Sequence, residues 1–114
     1  MGTNGDDPAK AETNAHNIKD GDIIVLGTDG LWDNLHRAKI LDLVRPFVKN
    51  QESIKDDVGR IAELISKEAE KHSYLQRYSS PFAESARANN LFYEGGKPDD
   101  ITVVVGQIEL KKRE

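Results

Sequence analysis

Three observations in the sequence predict an α+β fold. An apolar run, Ile23-Ile24-Val25-Leu26-Gly27, stands near the start, and a second, ITVVVGQIEL at 101–110, stands near the end. Between them, apolar residues recur at helical spacing in two long stretches, with a shorter helical segment after Ser80-Pro81. The second strand is apolar on both alternating faces, which suits a place inside a layered fold better than a solvated edge.

Bulk properties fit one domain. At 114 residues, a chain buries roughly 65% of its unfolded surface. With 37% hydrophobic and 32% charged residues the composition is that of a folded chain, and a net charge of −4 argues against a nucleic-acid surface. The basic cluster Lys111-Lys112-Arg113 reads as a solvated tail over 111–114. The absence of cysteine removes disulfides, thiolate nucleophiles and Cys-based zinc sites, so any metal must be held by oxygen or imidazole. No apolar run approaches the roughly 20 residues of a membrane span, and a membrane partner is not expected. Met1-Gly2 resembles a myristoylation start, but Asp6 stands where Ser or Thr is needed.

The elements follow in order. Residues 1–17 are polar, rich in Gly, Asn and Pro, and read as a flexible lead-in. Lys19-Asp20-Gly21-Asp22 is a turn that delivers the chain into a strand over 23–28. Ile40, Leu41, Val44, Phe47 and Val48 then mark a helix that Pro46 limits in length or kinks. A longer helix is expected from about Ile54 to His72, capped by Ser53, with Ile54, Val58, Ile61, Ile65 and Ala69 on one face. Lys55, Asp56, Arg60, Glu63, Lys67 and Lys71 lie opposite, as a solvated surface does. The third helix starts at Ser80-Pro81 and fades at Asn89-Asn90, and Gly95-Gly96 breaks the chain. In the final strand Ile101, Val103 and Val105 share one face, and Val104, Ile108 and Leu110 share the other. Two strands alone are at best marginal in water, so the pattern reads as one side of a larger sheet-containing domain.

Carboxylates gather at the strand ends. The first strand runs into GTDGLWDN, with Asp29 and Asp33, and the second is preceded by Lys97-Pro98-Asp99-Asp100. Antiparallel pairing of the two strands brings Asp29 and Asp99 together, with Asp33 and Asp100 nearby. Two like charges near 4 Å repel by about 4 kcal/mol at an effective dielectric of 20, so such a cluster needs protons, cationic partners or a divalent metal. Oxygen-only ligation favours Mg2+, Mn2+ or Ca2+ and suits metal-assisted hydrolysis. The competing reading is that these are turn acids bonding nearby backbone amides, and spacing alone leaves both open. Trp32 reads as a core anchor beneath the acidic turn, and Phe47 as core. His16, His36 and His72 share no metal-ligand spacing and read as surface or helix-end residues. No serine has a nucleophile-elbow context, and Gly95-Gly96-Lys97 is too short for a P-loop.

"DGDIIVLGTDGLWDN" resembles the Asp-Gly-aromatic-Asp motif of the metal-dependent Ser/Thr protein phosphatases, type 2C, and "GGKPDDITVVV" is similar to that family's last acidic motif and following core strand. The intervening "YSSPFAESARANNLFYEGGKPDD" resembles the branch that includes mitochondrial phosphatases, and the likeness covers about residues 18–108. The resemblance implies an α/β/β/α sandwich, of which 18–110 forms the C-terminal portion. It implies that Asp29 and Asp99 are ligands in a binuclear Mg2+ or Mn2+ centre, and that Asp33 belongs to an additional, weaker metal. Asp100 would support the ligands without touching metal, and Gly30 would permit a sharp turn that aims Asp29. The implied reaction is hydrolysis of phosphoserine or phosphothreonine in a protein substrate by a metal-activated water, without a phosphoenzyme.

The family's earlier elements have no counterpart here: a phosphate-contacting Arg, a Glu-Asp pair, and the Asp-Gly-His-Gly motif that bridges the metals. The chain is therefore expected to be the C-terminal part of a longer phosphatase, inactive alone and prone to self-association through uncovered sheet. A non-catalytic binding module of the same fold, and a small unrelated protein with turn acids, are the alternatives.

Overall fold

The computed structural model describes residues 19–49 and 54–111; the expected lead-in over 1–17, with His16, the Ser53 cap and the end of the basic tail lie outside them. Six elements follow in order: β1 (Ile23–Gly27), α1 (Asp29–Trp32), α2 (Arg37–Val48), α3 (Val58–Ser73), α4 (Pro81–Ala88) and β2 (Val103–Gln107). β1 and β2 pair antiparallel, with Ile23 opposite Gln107, Val25 opposite Val105 and Gly27 opposite Val103. The pairing is entered through Gly21, at φ +88°, a left-handed conformation that costs glycine little. Its N–H donates to the Ile108 carbonyl at 2.8 Å.

Helices cover one face of this ribbon. Val105 of β2 is buried with Ile61, Ile65 and Ala69 of α3, Ile40 and Val44 of α2, and Leu31, Leu35 and Ile54, while Ile23, Val25 and Val103 pack against the cluster. The stripe Ile61, Ile65, Ala69 and Ser73 recurs every four residues, so one side of α3 faces the sheet. Trp32 and Phe47 both pack partly buried against this core, as expected.

Three expectations are corrected. The long helix starts at Val58, not Ile54: residues 54–57 form a turn closed by Asp57 N–H to the Ile54 carbonyl at 2.8 Å. Ile54 stays in the core, its N–H held by the Gln107 side chain at 3.0 Å. The last strand contracts from 101–110 to Val103–Gln107, matching the five residues its partner offers. Leu41 and Val48 of α2 face outward, because a 12-residue helix touching one neighbouring layer buries only part of a five-residue apolar set. The uncovered sheet expected of this chain is present: on the face of β2 carrying Val104, Val104 is 55% and Leu26 57% exposed, with Ile24 exposed beside them.

Candidate metal-binding turn

The strand register places the acids. With Gly27 paired to Val103, the end of β1 and the approach to β2 lie side by side. Thr28 fixes the junction: its N–H donates to the Thr102 carbonyl, its hydroxyl donates to the Asp100 carbonyl, and the Thr102 N–H donates back to that hydroxyl, each at 3.1 Å. Asp29 opens α1 directly after Thr28, and Trp32 closes the turn by donating its indole N–H to the Gly27 carbonyl at 3.0 Å.

Gly30 serves a different purpose from the expected sharp turn. Its φ is not positive, and it is buried. A Cβ there would overlap the Asp100 carbonyl oxygen and press on Ile101. Glycine is thus required because two backbone segments, each carrying a candidate acid, touch at this point.

Asn34 completes the assembly. Fully buried, it donates from Nδ2 to the carbonyls of Gly30 and Lys97, both at 2.8 Å, and accepts the Lys97 N–H on Oδ1 at 2.7 Å. One amide thereby ties the α1 turn to the 97–100 loop. Outside it, the Tyr78 hydroxyl donates to the Asn34 carbonyl at 2.8 Å, and the Phe82 N–H donates to the Asp33 carbonyl at 3.1 Å. Ser80 caps α4 by accepting the Ala83 N–H at 3.0 Å, while its hydroxyl donates to the Gly95 carbonyl at 2.7 Å. The two expected features of that helix, Ser80 as cap and Pro81 at its first position, are both present.

Asn34, Thr28 and Ser80 were not singled out from sequence as site-forming residues. For Asn34 a signal existed: it falls three residues after Leu31 and next to Leu35, on the side of the turn that must be buried. A polar residue on such a face needs internal partners.

Asp29 and Asp99 are exposed and Asp33 is half-buried. Burial pushes the Asp33 carboxyl above its ordinary value; Lys97 opposes that, while the negative charges of Asp29 and Asp99 reinforce it. Asp33 therefore feels the charges of both Asp29 and Asp99. The three acids do not close into a cage: among the described residues, no group of three or more His, Asp or Glu side chains is placed to hold a metal ion. One oxygen of Asp99 accepts the Asp100 N–H at 2.8 Å, which orients that carboxylate and leaves its second oxygen available. Asp100 contributes through its backbone. Among the described residues, no hydrogen bond or ion pair engages the Asp29 carboxylate. Exposed carboxylate oxygens of this kind fit a hard divalent cation such as Mg2+ or Mn2+ as part of a ligand set. His36 and His72 stand apart from the acids, bonded to the carbonyls of Ser79 and Glu68 at 2.7 and 2.8 Å.

Comparison with known proteins identifies the family of this fold. The family model described as protein phosphatase 2C matches residues 8–76, which include Asp29 and Asp33. The protein phosphatase PTC7 homolog fig of Drosophila ananassae is 39% identical over 94% of this chain and 32% of its own length. The human protein phosphatase PTC7 homolog is 38% identical over 88% of this chain and 32% of its own length. The chain thus spans about a third of the length of these curated relatives. Among solved structures, the X-ray structure of the photosystem II phosphatase PBCP superposes with a TM-score of 0.67 and 28% identity, covering 82% of this chain and 38% of that one. The shared α+β fold and the matched motif place the chain in the protein phosphatase 2C family.

Proposed function

We propose that this chain is the C-terminal segment of a metal-dependent protein Ser/Thr phosphatase, and that Asp29 and Asp99 each give a carboxylate to its Mg2+ or Mn2+ centre. Asp33 is the outer acid, serving an additional, more weakly held ion. The observation that carries this reading is the antiparallel register, which sets the Asp29 turn against the Asp99-Asp100 loop. A divalent ion bound there would acidify a water and balance the charge on phosphoryl oxygens of a phosphoserine or phosphothreonine in a protein substrate.

The chain's own residues hold the two carboxylates in place: Thr28 and Asn34 bind the two loops to each other, and Gly30 lets them touch. These residues supply part of a binuclear ligand set, so the 114 residues alone are expected not to turn over substrate. Alone, the chain is also expected to self-associate through the uncovered face of Ile24, Leu26 and Val104.

The test is Mn2+-dependent phosphate release from a phosphothreonine peptide by a protein of the relatives' full length that carries this segment. Asp29→Asn and Asp99→Asn are each expected to lower kcat by at least about a hundredfold, as loss of a metal ligand does. Unchanged turnover in both variants would refute the assignment. No turnover in the unsubstituted protein would favour a non-catalytic binding module instead.

A further inference from the structure

Lys97 is built into the acidic turn more firmly than a surface lysine. Its backbone is clamped on both sides by the buried Asn34 amide, through its N–H at 2.7 Å and its carbonyl at 2.8 Å. From that fixed point the side chain crosses the Phe82 ring, with Nζ 4.4 Å from the ring centroid, and reaches 3.9 Å from the Asp33 carboxylate. Phe82 is itself fixed, by its N–H to the Asp33 carbonyl and an edge contact with Tyr93 at 4.8 Å between centroids. Among the described residues, no other cation is paired with Asp33.

We propose that the Lys97 ammonium is the resident counter-cation of Asp33, so that a divalent ion gains this outer carboxylate only by displacing it. The inference rests on the metal-site reading above and adds a competitor drawn from the chain itself. A long ion pair whose lysine side chain is 42% exposed is loose enough to be displaced. The cation–π contact gives the released side chain somewhere to rest. The turn therefore keeps its acids in place without metal, yet yields the outermost one as ion concentration rises.

The experiment is a Mn2+ titration of the full 114-residue chain at low ionic strength, followed by the electron paramagnetic resonance signal of free Mn2+. Wild type, Lys97→Met, Asp33→Asn and the double variant form a cycle. Met keeps an apolar stem over Phe82, and Lys97→Arg, which keeps the charge, serves as the conservative control. Lys97→Met is expected to tighten Mn2+ about fivefold, the scale of a partly exposed charge pair. Asp33→Asn should erase that gain, and Lys97→Arg should stay near wild type. A Lys97→Met chain that binds Mn2+ no better than wild type overturns the proposal, as does a gain that survives Asp33→Asn. An Asp29→Asn chain with wild-type affinity would instead remove the metal-site reading, so the two failures are distinguishable.

Discussion

The Asn34 amide grips Lys97 from both sides, bonding its N–H at 2.7 Å and its carbonyl at 2.8 Å. Residues 63 positions apart are thereby locked, and the two candidate metal-binding loops become one rigid piece. A third bond, to the Gly30 carbonyl at 2.8 Å, fastens the same amide to the turn that presents Asp29.

Removing that amide should be costly. Asn34→Ala strands three backbone groups, two of them on Lys97, and is expected to destabilise the chain by roughly 3 kcal/mol. Asn34→Asp should be no better, because a carboxylate cannot donate to the Gly30 and Lys97 carbonyls. Urea denaturation of the three chains checks this; a loss below about 0.5 kcal/mol in Asn34→Ala would show that the clamp is not what joins the loops.

Gly30→Ala tests the close approach independently of polarity. A methyl group there meets the Asp100 carbonyl, so the loops must part. The expected result is a loss of about 1–3 kcal/mol, with amide chemical shifts moving at Thr28 and Thr102, whose bonds bridge the same gap. An unperturbed spectrum would contradict the packing.

Asp33 sets a pH dependence. Its carboxyl sits above its ordinary value chiefly through burial, so the folded chain binds that proton more tightly than the unfolded chain does. Ionised Asp33 therefore costs stability at neutral pH. The cost fades as pH falls through the raised folded value toward the unfolded one, below which both states are protonated. In metal-free buffer, Asp33→Asn should melt higher than wild type near neutral pH, and the difference should shrink to nothing near about pH 3. A constant difference across that range would mean the gain has another source.

The bare sheet face predicts association. Leu26 and Val104 are directly paired across the strands and both are exposed. Leu26→Lys should leave the melting temperature of the monomer nearly unchanged while lowering the apparent mass in light scattering at high concentration. A wild-type chain that stays monomeric would refute the prediction.

Much of the fold was legible because its signals are periodic. The α3 stripe and the Ser80-Pro81 start are local patterns, and the acids at matching ends of two apolar runs converge on the condition of antiparallel pairing, which the register meets. What escaped was set by tertiary partners. Ile54 reads as helical by its spacing from Val58 and Ile61, but a bond from Gln107 holds its N–H and the helix begins four residues later. Gly30 looked like turn chemistry, whereas its cause is the Asp100 carbonyl 70 positions away. Asn34 carried only the mark of a polar residue on a buried face, and nothing in the sequence named Lys97 as its partner.

The central claim, that Asp29 and Asp99 serve one and the same divalent ion, is tested most directly by Mn2+ affinity of the 114-residue chain. Wild type, Asp29→Asn, Asp99→Asn and the double variant are compared by the paramagnetic signal of the free ion. Each single substitution is predicted to weaken binding at least about tenfold, with the double variant little worse than either, because groups that share a ligand are non-additive. Two single variants that bind as wild type does, or losses that simply add, would contradict a shared ion.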